Sequence, residues 1–190
     1  RAGSSRRRGP GSDCRPASAG GAARVAHGRF LADRPFFPVE AILRHVILGN
    51  GPAGVIAAET IRKQAPDDTI VLVGDEPEPP YSRMAIPYLL MGRIDEAGTY
   101  LRKDRDHFER LRIELVTGRA KSVDVPGRKV LLDGGAAVAF DRLLLATGAT
   151  PIRPPIPGID TKGVHPCWTL ADARRIMELA KPGAGVLQIG

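Results

Sequence analysis

An apolar stretch, His45-Val46-Ile47-Leu48, runs directly into Gly49-Asn50-Gly51-Pro52-Ala53-Gly54, a complete G-x-G-x-x-G. This junction constrains the fold more than any other part of the chain. Ile42 to Leu48 reads as a buried parallel strand. Pro52 to Ala65 reads as a helix with Ala53, Ile56, Ala57 and Ile61 turned inward, and Pro66-Asp67-Asp68 stops it. Thr69 to Val73 is a second buried strand. Together they make a βαβ unit of about 30 residues, the length of one right-handed crossover. Each glycine has a separate task there. Gly49 permits the sharp turn out of the strand, Gly51 lets backbone N–H groups approach a pyrophosphate, and Gly54 lets the helix pack closely on the sheet. An anion is then favoured at the helix N-terminus by unpaired N–H groups and the macrodipole.

A ribose-binding acid is expected about 20 residues further on. Asp75 stands 21 residues beyond Gly54, with Glu76 next to it. Gly74 occupies or neighbours the usual strand-end position, so both acids are candidates; Glu76 is the preferred one, with Asp75 as a solvated turn residue.

Downstream, Glu76-Pro77-Glu78-Pro79-Pro80 is a stiff loop that can be neither helix nor central strand. Ile86 to Met91 reads as a short helix, Asp104 as the N-cap of another running to Arg110, and Ile113 to Val116 as a strand. Three strands follow, Ser122 to Val125, Lys129 to Leu132 and Ala137 to Leu145. They are joined by tight turns at Pro126-Gly127 and Asp133-Gly134-Gly135, an antiparallel meander inserted into an α/β fold. Thr169-Leu170-Ala171-Asp172 is a capping box opening a helix to about Ala180, and Pro182-Gly183 ends it. Gly185 to Gly190 repeats the opening grammar, an apolar strand running into a glycine. The expected fold class is therefore α/β, a Rossmann-like parallel sheet with an inserted three-stranded antiparallel meander. The expected divisions are a disordered basic extension (1–41), an incomplete nucleotide-binding domain (42–184), and the first strand of a second, truncated nucleotide-binding domain (185–190).

Charge argues against one class of partner. The net charge of +7 is concentrated in residues 1–44, which hold nine arginines and three acids; the rest holds 19 basic and 18 acidic residues. The folded part is thus near neutral, which gives no electrostatic footprint for nucleic acid. No apolar run approaches the ~20 residues of a transmembrane helix. Residues 1–41 are rich in Arg, Gly, Ala, Ser and Pro, too poor in apolar surface to offset ordering entropy. Arg6-Arg7-Arg8 is followed by no apolar export segment, and an Arg-rich, acid-poor start also has the composition of a transit peptide. Cys14 and Cys167 are far apart and in no C-x-x-C, which indicates neither a disulfide framework nor a metal site and fits a reducing, cytoplasmic setting.

Three further segments carry a family likeness: Pro80-Tyr81-Ser82-Arg83, Phe140-Asp141-Arg142-Leu143-Leu144-Leu145-Ala146-Thr147-Gly148-Ala149-Thr150-Pro151, and Pro155-Ile156-Pro157-Gly158. With the glycine loop they make the chain, from about His45 onward, resemble the pyridine nucleotide-disulfide oxidoreductase superfamily. The likeness is to the branch of NADH oxidases, rubredoxin and ferredoxin reductases, and the flavin part of nitrite reductases. The resemblance implies that the first nucleotide fold binds FAD, with NAD(P)H binding elsewhere in a full-length protein. Gly49, Gly51, Pro52, Ala53 and Gly54 would hold the pyrophosphate, Asp75 or Glu76 the adenosine ribose, and Arg83 would lie near the phosphates or flavin. Ala120 would offer backbone contact to adenine where valine is commoner, and Ala146, Thr147 and Gly148 would line the flavin.

One position departs from that pattern. Aligning the family's Leu-Pro-Tyr with Ile86-Pro87-Tyr88 puts Met84 where the oxidases and disulfide reductases carry a redox-active cysteine. A thioether cannot form a sulfenic acid or a mixed disulfide. The resemblance then implies electron delivery from nicotinamide through flavin to a redox protein or small-molecule acceptor, with no catalytic side chain named and no membrane partner. A nucleotide-binding fragment without turnover is the alternative. Cys167 reads as a small packed residue, Trp168 as core, His45 and His107 as structural, and Asp104-Arg105-Asp106 as a solvated face.

Overall fold

The computed structural model describes residues 42–189; the expected basic extension, Cys14 and Gly190 lie outside the described residues. The opening crossover forms as the spacing requires: β1 (Arg44–Leu48), α1 (Pro52–Gln64), β2 (Thr69–Gly74). Two short helices follow, α2 (Ile86–Leu90) and α3 (His107–Arg110), then β3 (Ile113–Thr117). Three strands, β4 (Ala120–Asp124), β5 (Lys129–Leu132) and β6 (Ala137–Ala139), lead to β7 (Arg142–Leu145) and later to α4 (Leu170–Leu179).

β3, β2, β1 and β7 form a parallel sheet in that order, and β4, β5 and β6 a separate antiparallel sheet. Side-chain alternation in the sheet explains why β1 and β2 read as unbroken apolar runs. Val46, Leu48, Val71 and Val73 face the meander and pack on Val130, Leu132 and Val138. Ile47, Ile70 and Leu72 face the other way, onto Val55 and Ala58 of α1 and Phe108 of α3. Both faces are covered, and each fully buried Val, Leu or Ile contributes about 1.5–3 kcal/mol relative to exposure. A third cluster joins Tyr81, Ile86 and Leu89 to Leu170 and Ala173 of α4.

Four expectations are corrected. α1 turns Gly54, Val55 and Ala58 to the sheet, with Ala57 and Ile61 partly buried, while Ala53 and Ile56 are exposed. The close fit of Gly54 on the glycine loop sets that rotation. Asp104 does not cap α3, which begins at His107; the Asp104 and Asp106 carboxylates bind Arg110 instead. The run Ala137 to Leu145 is two strands in two sheets. At Asp141 the backbone N–H donates to the Arg44 carbonyl (2.8 Å) and the carboxylate accepts the Arg44 N–H (2.8 Å). That exchange moves the chain from β5 to the flank of β1. Residues 185–189 are not in a strand among the described residues, and Val186 and Leu187 are exposed. A strand has its backbone groups satisfied only beside a partner.

Candidate functional site

The site is assembled where four loops leave the same edge of the parallel sheet. The Gly49 N–H donates to the Val73 carbonyl (2.8 Å), the Ala146 N–H to Leu48 (2.8 Å), and the Gly118 N–H to Gly74 (2.7 Å). From β1 the sheet extends to β2 and β3 on one side and to β7 on the other. The glycine loop therefore lies at the switch point of the strand order, where ligands of open α/β sheets bind.

Gly49 has φ +110° and abuts β7: a Cβ there would overlap the Ala146 carbonyl. A Cβ on Gly54 would overlap the Gly49 carbonyl. Gly51 is different, since a Cβ there would meet nothing within 4 Å. Its glycine is not required by the protein's own packing. The N-terminus of α1 has Gly51 as N-cap, Pro52 in its first turn, no side-chain cap and no acidic residue. Its first N–H groups are thus left for an outside acceptor, and Pro52 and Ala53 at this mouth are exposed.

Beside the loop is a cleft of about 520 Å³, lined among others by Asn50, Gly74, Glu76, Tyr100, Arg102 and Thr117. Gly74 is where a ribose acid would usually stand, and the structure shows why it is glycine. The Asn50 carboxamide fills the space a Cβ would need. The two acids next in sequence point in different directions. Asp75 turns away to Arg119 (3.1 Å), at the surface. Glu76 lines the cleft, accepting from Tyr81 Oη (2.6 Å) and Arg83 Nη2 (2.7 Å).

Arg83 also donates to the Trp168 carbonyl (3.2 Å), and its guanidinium lies 5.2 Å from the Trp168 ring centroid. Trp168 is half-buried rather than core, and its indole N–H donates to the Ala149 carbonyl (3.1 Å), just beyond Gly148. Ala146, Thr147 and Gly148 follow β7, and the last two are exposed. Ala120 is paired with Leu132 in β4 and does not line the cleft. Burial, then the Glu76 carboxylate, push the Tyr81 phenol above its ordinary value.

Arg102, which lines the cleft, is braced by Glu59 of α1, which accepts two bonds from it (2.6 Å each) and one from His107 (2.8 Å). The Arg102 bond, opposed by burial, holds the Glu59 carboxyl below its ordinary value. His45 pairs with Asp68 at 2.7 Å, a structural contact. Met84 is 85% exposed, in a 3-10 turn at Arg83–Ala85. Cys167 is exposed, not packed, and partial burial with nearby Asp172 pushes its thiol up, away from the nucleophilic thiolate. Asn50 and Tyr81 have no role assigned from sequence, and Trp168 was read only as core. Tyr81, two residues before Arg83 in the Pro-rich loop, is the one with a visible signal.

The family model of the pyridine nucleotide-disulphide oxidoreductases matches residues 43–190. The chain belongs to this family. Among its relatives, the ferredoxin–NAD(+) reductase component of a biphenyl dioxygenase system from Paraburkholderia xenovorans is 34% identical over 146 residues, covering 76% of this chain and 35% of that protein. A nitrite reductase [NAD(P)H] from Bacillus subtilis is 36% identical over 138 residues, 72% of this chain and 17% of the relative. Among solved structures, a ferredoxin reductase from Rhodopseudomonas palustris superposes with a TM-score of 0.67 at 30% identity, covering 71% of this chain and 33% of that one. The chain thus spans about a third or less of the length of these oxidoreductases. Among the described residues, no helix is long and apolar enough to cross a membrane.

Proposed function

We propose that this chain is the FAD-binding part of an NAD(P)H-dependent flavoprotein oxidoreductase that passes electrons to a redox protein or another acceptor. One observation carries the FAD reading. An uncapped helix N-terminus with open space at Gly51 adjoins a cleft lined in part by Glu76. Those features fit the two ends of an adenosine diphosphate moiety, an anion at the helix and a ribose diol at the acid.

In this reading the backbone N–H groups at Gly51, Pro52 and Ala53's turn face the pyrophosphate, Pro52 itself offering no donor. Gly49 and Gly54 make the loop tight enough to present them. Glu76 takes the adenosine ribose, with Asp75 the alternative acid. Arg83 holds Glu76 and keeps further N–H donors toward the phosphates or flavin, and Ala146, Thr147 and Gly148 border the flavin; Ala120, away from the cleft, takes no part in this reading. Bound FAD would supply hydride acceptance from the nicotinamide and onward electron transfer. The chain's own work is to bind, orient and exclude water. Met84 at the redox-cysteine position supports onward delivery over disulfide chemistry. Relatives named as ferredoxin–NAD(+) reductase support a ferredoxin-like acceptor. Sparse cysteines with Cys167 unpaired support a reducing, cytoplasmic setting.

Calorimetric titration of the purified chain with FAD tests the proposal. Saturable binding and a yellow protein are expected; a colourless protein and a flat titration would remove the assignment. A second reading, nucleotide binding without turnover, is favoured by the single glycine-rich crossover among the described residues. NAD(P)H consumption with a dye acceptor separates the two.

A further inference from the structure

We infer that Tyr81 is the positioning residue of the nucleotide cleft: its hydroxyl fixes the Glu76 carboxylate for a vicinal diol and ties it to the start of α4. The inference rests on the FAD reading above and adds the group that orients its acid.

The hydrogen-bond directions are set by elimination. The Leu170 N–H can only donate, and it lies 3.2 Å from the Tyr81 oxygen. The phenol has one proton, so that proton goes to Glu76 Oε2 at 2.6 Å. Glu76 Oε1 takes its bond from Arg83. A carboxylate held at both oxygens by groups on the protein side cannot rotate. Each oxygen still has one lone pair, and Glu76 borders the cleft. Two adjacent acceptors fixed in orientation match two adjacent hydroxyl donors, and little ordering entropy is left to lose on binding.

Tyr81 is itself immobilised. It is 7% exposed and packs with Ile86, Leu89, Leu170 and Ala173. α4 makes a second tie to the same loop, where Arg174 binds Glu78 (2.6 Å) and Glu96 (2.5 Å). Asp75 has no such support; its partner Arg119 is largely exposed. Leu170 opens α4, so the chain of bonds runs from the cleft acid, through one hydroxyl, to the first turn of a helix 89 residues away in sequence.

The test compares FAD with an analogue lacking the adenosine 2′- and 3′-hydroxyls, on the unmodified chain and on Tyr81→Phe. The unmodified chain should favour FAD. Y81F should lose about tenfold in FAD affinity, roughly one charge-assisted hydrogen bond, and stay within about twofold for the analogue. Equal losses for both ligands would mean a merely structural tyrosine and would overturn the inference alone. No FAD binding by the unmodified chain would overturn it together with the reading beneath it. If Y81F does not fold, amide hydrogen exchange at Leu170 in the unmodified chain decides the matter. FAD should slow it and the analogue should not; equal slowing rejects the positioning role.

Discussion

Gly51 and Gly54 sit three residues apart in one motif, yet they answer to different constraints. At Gly54 a methyl group collides with the protein's own backbone, so Gly54→Ala should lower stability by about 2 kcal/mol or more, with FAD binding lost as a consequence. At Gly51 a methyl group meets only open space. Gly51→Ala should melt within about a degree or two of the parent and still lose FAD affinity by tenfold or more. Thermal unfolding and FAD titration of the two variants side by side check this. Glu59 supplies a prediction in pH. Its carboxyl is held below the ordinary 4.5, chiefly by Arg102. Its stabilising contribution is therefore complete above that value and disappears as pH falls through the lower folded-state one. Urea unfolding measured between pH 6 and 3 should show that loss in the parent and a flatter profile in Glu59→Gln, which should also be less stable near neutrality.

Elements differ in how far neighbouring residues determine them. α4 is local: Thr169 accepts from the Asp172 N–H (3.1 Å) and Asp172 from the Thr169 N–H (2.9 Å), the reciprocal box its sequence spells out. Thr169→Ala should cost about 1 kcal/mol in chemical denaturation, with the helix otherwise intact. β1, α1 and β2 were equally legible, because strand length, glycine spacing and a proline stop lie within 30 residues. The division between β6 and β7 was not. Both are short apolar runs, and the break at Asp141 is decided by Arg44, 97 residues away. The inward face of α1 was misjudged for a related reason. Its rotation is fixed by the contact of Gly54 with Gly49, which periodicity over three alanines and two isoleucines does not reveal.

At the scale of the whole molecule, the cleft beside the glycine loop is a joint between distant stretches. The glycines at 49 and 54 could be read because backbone demands limit those positions to few residue types, whereas the Ala-Thr-Gly run at 146–148 was reached only through the family resemblance. Glu76 and Arg83 were candidates, but the bonds that join them to each other, to Tyr81 and to Trp168 could not be read, since they depend on α4 folding back across the Pro-rich loop. Ligand that binds only the folded form should stabilise all of it together. FAD at 100 times its dissociation constant should add about 2.7 kcal/mol, seen as one cooperative upward shift in the melting temperature. The abutment of Gly49 on Ala146 also bears on how the protein is made. A nascent polypeptide that has emerged only as far as the meander possesses the whole fingerprint loop but lacks the wall it leans on. Cofactor capture during synthesis should therefore wait until β7 has left the ribosome, and stalled chains released before that point should come off apo.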